Sequence, residues 1–272
     1  MSLPHDLATL ALEAAAGWLT VRLDRPETRN ALSREMVDEL RRVLDAVETD
    51  RSVRGVTFRG AGGTFCAGGD VKGFREIASG EARIEDVAAM SRRAGELFQR
   101  VNALPQATIM LVEGAAMAGG LGLAAAGDFV LAVRDARFGL TETALGIPPA
   151  QIAPLVVART GLAAARRLML TAARIDAEEA RALGLVDEVV DDAAALEARE
   201  AAIRAAVLRC APGANAEAKR VALATQYLTG DAMLDLAADS FARCLTGPEG
   251  REGVAAFLDK RAPSWTRGPG ES

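Results

Sequence analysis

The chain is poor in the side chains that most often carry catalysis. Its 272 residues include one histidine, His5, one tyrosine and two tryptophans, and aromatics make up only 4%. His5 falls in what reads as a mobile N-terminal tail. A single histidine there excludes Ser-His-Asp and Cys-His catalysis and most metal sites. The three cysteines, Cys66, Cys210 and Cys244, are too widely spaced for a disulfide framework or a zinc pattern, and a reduced, cytoplasmic location is expected. Basic residues are not in surplus either: the net charge of −5 argues against a nucleic-acid partner. No window approaches 18 uninterrupted apolar residues, and no basic segment followed by an apolar core opens the chain. Neither a membrane span nor an export signal is expected. The pattern GxxxxGK[ST] is missing, which removes a P-loop.

What the chain does have is hydrophobic bulk and glycine. Half of its residues are hydrophobic, enough for one large domain or a domain with an appendage. Residues 107–128, ATIMLVEGAAMAGGLGLAAAGD, organise the rest. An apolar run at 109–112 leads into a glycine-rich turn and then a run of small residues opening at Gly119 and Gly120. A similar device precedes it, the apolar run 53–58 followed by GAGGTFCAGGD at 60–70. A helix that starts after such a turn leaves its first N–H groups unpaired. Two strand–turn–helix units thus supply two sets of exposed N–H groups, the means by which an enzyme holds an oxyanion. One glycine loop alone would mean only close packing.

Around this pair the sequence predicts a strand at 17–23 and a turn at 24–26, where Pro26 fixes φ. Leu32, Met36, Val37, Leu40, Val43, Leu44 and Val47 predict an amphipathic helix with Ser33 as N-cap. Val87, Met90, Ala94, Leu97, Phe98 and Val101 mark a second one, ending before Pro105. Residues 129–133 read as a strand, 136–146 as a loop and 161–172 as a helix. Asp176 and Glu179 resemble a capping box, with Gly184 as the C-terminal cap and a short strand at 185–190. From about residue 192 the pattern is helical, with breaks at 212–213 and 247–248. These features predict an α/β core over 1–195 and a helical region over 196–272.

Three further features carry two readings each. Residues 120–125, GLGLAA, match the dinucleotide fingerprint G-x-G-x-x-A. The helix there must end near Gly127, too short for the crossover of a βαβ unit, so the match is set aside. Glu142 lies in a loop near Phe138 and Leu145. There it is either a solvated carboxylate or an acid with a raised pKa suited to acid/base work. The stretch EGREGVAAFLDK at 249–260 is either a docking helix or a means of bringing Lys260 or Arg261 to a phosphate.

LDRPETRNALS (23–33), FCAGGDVKGF (65–74), VEGAAMAGGLGLAAAGD (112–128), ARFGLTETALGIPP (136–149) and AFLDKRAPSW (256–265) occur in this order. Together they resemble the enoyl-CoA hydratase/isomerase (crotonase) superfamily over nearly the whole chain. The resemblance implies an α/β spiral of ββα turns and a helical C-terminal region that builds a homotrimer or a hexamer of two trimers. It implies acyl-CoA thioester substrates and no metal or redox cofactor, coenzyme A being part of the substrate. By position, the backbone N–H groups of Gly69 and Gly119 would form the oxyanion hole. Ala67, Gly68, Asp70 and Val71 would line the CoA path. Arg25, and Lys260 from a neighbouring subunit, would contact phosphate.

Typical hydratases of this family hold one water with two glutamates. One of those positions matches Glu142, and the other is occupied here by Gly122. A single carboxylate suits an isomerase that shuttles a proton between C4 and C2. It also suits a hydratase in which Glu142 alone activates water. The segment GIPPAQIAPLVV (146–157) is similar to that of bacterial methylglutaconyl-CoA and isohexenylglutaconyl-CoA hydratases, whose branch also has glycine at the first glutamate position. The expectation is therefore a hydratase, with the isomerase and a non-catalytic acyl-CoA-binding oligomer as alternatives. Residues 72–93 are expected to shape the acyl pocket.

Overall fold

The computed structural model describes residues 3–70, 77 and 79–266. Its frame is a six-stranded sheet in the order β1-β2-β3-β4-β6-β9, formed by β1 (Leu10–Ala15), β2 (Trp18–Leu23), β3 (Gly55–Gly60), β4 (Ala107–Val112), β6 (Phe129–Val133) and β9 (Glu188–Val190). All neighbours run parallel except β1 and β2. The central strands are buried along nearly their whole length, which is why 53–58 and 109–112 read as apolar runs. Strand β1 escapes the sequence because LALEAA favours helix by propensity. Pairing overrides it: Ala16 and Gly17, at φ +49° and +75°, form the two-residue turn that closes an antiparallel hairpin.

The chain is held from Ala8 onward. The buried Glu39 carboxylate accepts the N–H groups of Ala8 and Thr9 at 2.6 and 2.9 Å and the Thr9 hydroxyl at 2.5 Å. His5 itself is exposed. Helix α1 (Arg34–Val47) buries the predicted face, and Ser33 Oγ accepts the Met36 N–H at 3.2 Å. Helix α2 (Ile84–Ala103) ends before Pro105 as expected but buries its apolar face only from Gly95 on. Met90 is exposed.

A second sheet was not legible. Strands β5 (Ala115–Met117), β7 (Arg137–Gly139) and β8 (Arg174–Asp176) form it in that order, β5 parallel to β7 and β7 antiparallel to β8. Three residues show no periodicity, so 136–146 reads as loop although Arg137–Gly139 is a strand. Between the sheets lies α3 (Gly119–Ala125), seven residues ending before Gly127, as the rejection of a dinucleotide fold requires. Helix α4 (Ala153–Thr171) starts earlier than predicted and breaks at Gly161, where φ is +74°. Helix α5 (Ala177–Ala182) is capped as expected, Asp176 Oδ1 accepting the Glu179 N–H at 2.8 Å and Gly184 following at φ +80°.

Residue 195, the expected boundary, lies in the first turn of α6 (Ala193–Leu208). This helix belongs to the core: Leu196, Glu200, Ile203 and Val207 face the sheet. Glu200 accepts the Thr57 hydroxyl at 2.5 Å, Thr57 accepts the Trp18 indole N–H at 2.9 Å, and the Arg204 guanidinium stacks 5.2 Å from the Trp18 ring centre. Beyond it come α7 (Pro212–Ala224), α8 (Gly230–Thr246) and α9 (Pro248–Leu258). Lys219 of α7 ties this layer to the sheet. Its ammonium donates to the carbonyls of Leu104 and Gln106 at 2.7 Å each and pairs with Asp128 at 2.5 Å. Burial pulls the Lys219 pKa down, and Asp128 opposes that shift. Tyr227, Leu234, Phe241, Phe257 and Leu258 of the outer layer are exposed. Among the described residues no helix is long and apolar enough to cross a membrane.

Candidate active site

The two glycine loops meet. The segment after β3 makes parallel bridges from Cys66 to Ala116 on one side and from Gly69 to Leu32 on the other. Gly68 O accepts the Leu32 N–H at 2.7 Å, and the Asp70 N–H donates to Leu32 O at 3.1 Å. Alternation along an extended backbone therefore turns the Gly69 N–H away from Leu32. It turns toward α3: a Cβ built on Gly119 would lie 3.8 Å from Gly69 N. Gly119 is the first residue of that helix, so its own N–H is among those left without an intrahelical acceptor. Among the described residues neither N–H donates to a backbone carbonyl.

Both loops are built for this approach. Gly68 has φ +102°, and a Cβ there would sit 2.9 Å from both Ala118 Cβ and Met117 O. Gly120 has no room either, since a Cβ would lie 2.4 Å from Cys66 O. Ala118, just before the helix, is strained at φ +48°, ψ −121°. Its N–H donates to Gly139 O at 2.7 Å, which holds the turn against β7. Strain kept at the residue before an unpaired N–H is the kind that collects at functional sites. Gly68 is expected from the sequence only along the CoA path and Ala118 not at all, because nothing local announces a contact between residues 50 positions apart.

The same strand delivers the acid. Glu142 follows Gly139 by three residues, a span of at most about 10 Å, and opens a short 3-10 turn, Glu142–Leu145, that Gly146 ends at φ +77°. Thr143 fixes the turn to α4 through its hydroxyl, 2.7 Å from Met169 O. Glu142 Oε2 is buried and has no hydrogen-bond partner. Burial pushes this carboxyl above the usual carboxylate range. The raised pKa expected from an apolar setting is thus present, although Leu145, expected beside Glu142, is 66% exposed. Cys66 lies beneath the loops, and burial pushes its thiol up to about 12, which rules it out as a nucleophile at neutral pH.

The remaining candidates divide. Ala67, Gly68 and Asp70 line the edge of the first loop, the Ala67 N–H donating to Arg29 O at 3.0 Å. Arg25 faces them, its guanidinium 3.3 Å from Asp70 and 3.6 Å from Glu27. Val71 lies outside the described residues, as does most of 72–78. Lys260 is exposed just past α9, with φ +54°; the hydrogen bonds and ion pairs described within the chain do not join it to the loops. A cavity of about 480 Å³ beside β7 and β8, lined by Met117, Arg137, Arg174, Ile175, Asp176 and Glu179, holds neither the paired N–H groups nor the acid.

At Gly122, where the family resemblance implies the first glutamate of the pair, space is not vacant. A Cβ there would lie 2.0 Å from Cγ2 of Ile152.

Two backbone N–H groups are thus brought close together, and three residues past the adjoining strand stands a partly buried carboxylate. The family model described as enoyl-CoA hydratase/isomerase matches residues 13–268, and the chain belongs to that family. It is similar to the solved structure of Pseudomonas aeruginosa AtuE, with a TM-score of 0.92 and 50% identity, covering 96% of this chain and 100% of that one. Among curated relatives, the enoyl-CoA hydratase ACTT6 of Alternaria alternata is 33% identical over 89% of this chain and 78% of its own length. The 1,2-epoxyphenylacetyl-CoA isomerase of Escherichia coli is 32% identical over 92% and 95%. The fold is thus the crotonase spiral that the sequence motifs imply.

Proposed function

We propose that this protein is an enoyl-CoA hydratase that works with one carboxylate. The observation that carries the reading is Glu142: a carboxylate with a buried, unpartnered oxygen, anchored through β7 to the turn that presents the Gly119 N–H. The thioester oxygen accepts hydrogen bonds from Gly69 and Gly119, which favour the charge that develops as water adds. Glu142 takes a proton from water while the hydroxyl oxygen bonds to C3 and the C2=C3 electrons move onto the carbonyl as an enolate. The same carboxyl then returns a proton to C2, and one molecule of water has been added. A group that must accept and then donate within one turnover benefits from a pKa nearer neutrality, the direction in which burial moves Glu142.

Substrate CoA is placed along Ala67, Gly68, Asp70 and Val71, with Arg25 and a neighbouring subunit's Lys260 toward phosphate; Asp70 and Glu27 already offset part of the Arg25 charge. The reading needs no cofactor beyond the CoA of the substrate and places the enzyme in the cytoplasm. Mass spectrometry with a panel of enoyl-CoA esters in H₂¹⁸O tests it. Gain of labelled water supports the hydratase, and a mass-neutral shift of the double bond would replace it with the isomerase, in which Glu142 moves a proton from C4 to C2. No change with any bound ester would leave an acyl-CoA-binding oligomer.

Two expected outcomes follow from this reading. The exposed Phe241, Leu234, Phe257 and Leu258 are assigned to a trimer or hexamer contact. Light scattering at micromolar concentration should give one of those masses, and a monomer would contradict the assignment. In addition, kcat/KM for hydration should fall with acid along a limb set above the ordinary glutamate pKa, because Glu142 must start ionised. Loss of that limb in the pH profile of a Glu142 variant with residual activity would assign it to this group.

A further inference from the structure

Gly122 stands one turn along α3 from the oxyanion donor Gly119. Side chains on a helix lean toward its N-terminus, so the volume a residue at 122 would claim lies over the Gly119 turn. Ile152 fills that volume, with its Cγ2 2.0 Å, its Cβ 2.7 Å and its Cδ1 3.6 Å from where a Cβ would be. Two other apolar side chains approach the same turn, Leu32 Cδ1 at 3.3 Å and Phe98 Cζ at 3.7 Å from the Cβ position of Gly119. A thioester whose oxygen is held at Gly119 carries its C2 and C3 into this apolar corner.

Ile152 is also firmly placed. It is buried at the start of α4, its carbonyl accepting from the N–H groups of Leu155 and Val156 at 3.1 Å each. Its neighbour Gln151 donates to Ser91 Oγ at 3.1 Å and lies against Gly95 of α2, where a Cβ would be 2.1 Å from the Gln151 amide oxygen. A side chain simply lost at 122 would leave a void. Here the void is occupied by a neighbour that needs glycine opposite it, as expected of a pair fitted to each other.

We propose that Ile152 and Gly122 form a size-matched pair that walls the acyl pocket beside the oxyanion turn, and that the bulk of residue 152 determines which acyl branching the enzyme accepts. The inference rests on the acyl-CoA reading of the site, and its test is made by binding so that it stands apart from turnover. Calorimetry with the unreactive saturated esters butyryl-CoA and 3-methylbutyryl-CoA gives a ratio of Kd values. In Ile152→Ala the ratio should move toward the branched ester by about tenfold, the low end of what one methyl group decides in an apolar pocket. Ile152→Val, which removes one methyl, should move it in the same direction by less and guards against a fold-disrupting change. An unchanged ratio in both variants would overturn the proposal.

The pairing itself is read by thermal unfolding. Gly122→Ala should lower Tm in the parent chain and lower it less in an Ile152→Gly background, where the blocking atoms are gone. Equal losses in the two backgrounds would show that the residues are not a fitted pair. If no ester is turned over while the Kd ratio shifts as described, the hydratase reading fails and the wall assignment holds.

Discussion

Glu142→Gln is expected to lower kcat by about two to four orders of magnitude, the usual contribution of a positioned acid–base group, with KM changed little. Glutamine keeps the shape and one hydrogen-bonding oxygen but neither accepts the proton of an attacking water nor returns one to C2. Because the carboxylate acts on the transition state more than on the bound ester, the loss should fall on kcat and on kcat/KM alike. The fold control has a definite sign. Burial raises the Glu142 pKa, so the folded state holds this proton more tightly than the unfolded chain does. The stability it contributes is fully present below the unfolded pKa and is lost as pH rises through the folded value. At neutral pH the ionised carboxylate, with one buried oxygen lacking a partner, is therefore a burden on the fold. The neutral glutamine should leave Tm equal or higher there. A large fall in kcat with no fall in Tm identifies a catalytic group, and an unchanged kcat would remove Glu142 from the mechanism.

The parts of this site that could be read in advance are those whose cause is local. Glycine tolerates a positive φ, so the glycine-rich loop at 60–70 shows in the sequence after its apolar run, although which of its glycines takes φ +102°, Gly68, does not. A seven-residue helix squeezed between an apolar strand and Gly127 shows in its length, and that length excludes the dinucleotide fold. Contacts between distant segments do not show. The sheet of β5, β7 and β8 is made of three-residue strands with no period to detect, yet it is what brings Gly139 to Ala118, with Glu142 three residues further on. The fit of Ile152 over Gly122 is of the same sort. The sequence presents Gly122 as an absence, and only packing reveals that the absence is filled. Near residue 195 the pattern turns helical, and α6 spans that position because Leu196, Ile203 and Val207 are buried. The resemblance to a family supplies the roles proposed for Gly69 and Gly119, and what the geometry adds is their closeness, a Cβ at Gly119 lying 3.8 Å from Gly69 N.

Gly119→Pro should lower kcat by about 10²–10³, the usual effect of losing one oxyanion donor. Proline at the first position of a helix removes an N–H that no intrahelical carbonyl uses, so helix α3 itself loses no hydrogen bond. Two other effects must be separated from the missing donor. Proline restricts the residue before it, and Ala118 is already at φ +48°. Any side chain at 119 also approaches Leu32, whose Cδ1 would be 3.3 Å from the new Cβ. Gly119→Ala keeps the N–H and adds the same Cβ, so the ratio of the two variants isolates the donor from the crowding. Near-native kcat in the alanine variant together with a loss of at least two orders of magnitude in the proline variant would assign the difference to the N–H. Similar losses in both would mean that crowding against Leu32 explains the effect and that Gly119 is not a donor to the substrate. A saturated acyl-CoA, which develops no enolate charge, should bind the parent chain and the proline variant with similar affinity if the donor acts where charge grows. A Kd that weakens in step with kcat would place the interaction in the ground state. In that event the paired N–H groups of Gly69 and Gly119 would be a means of binding the thioester rather than of lowering the barrier to its reaction.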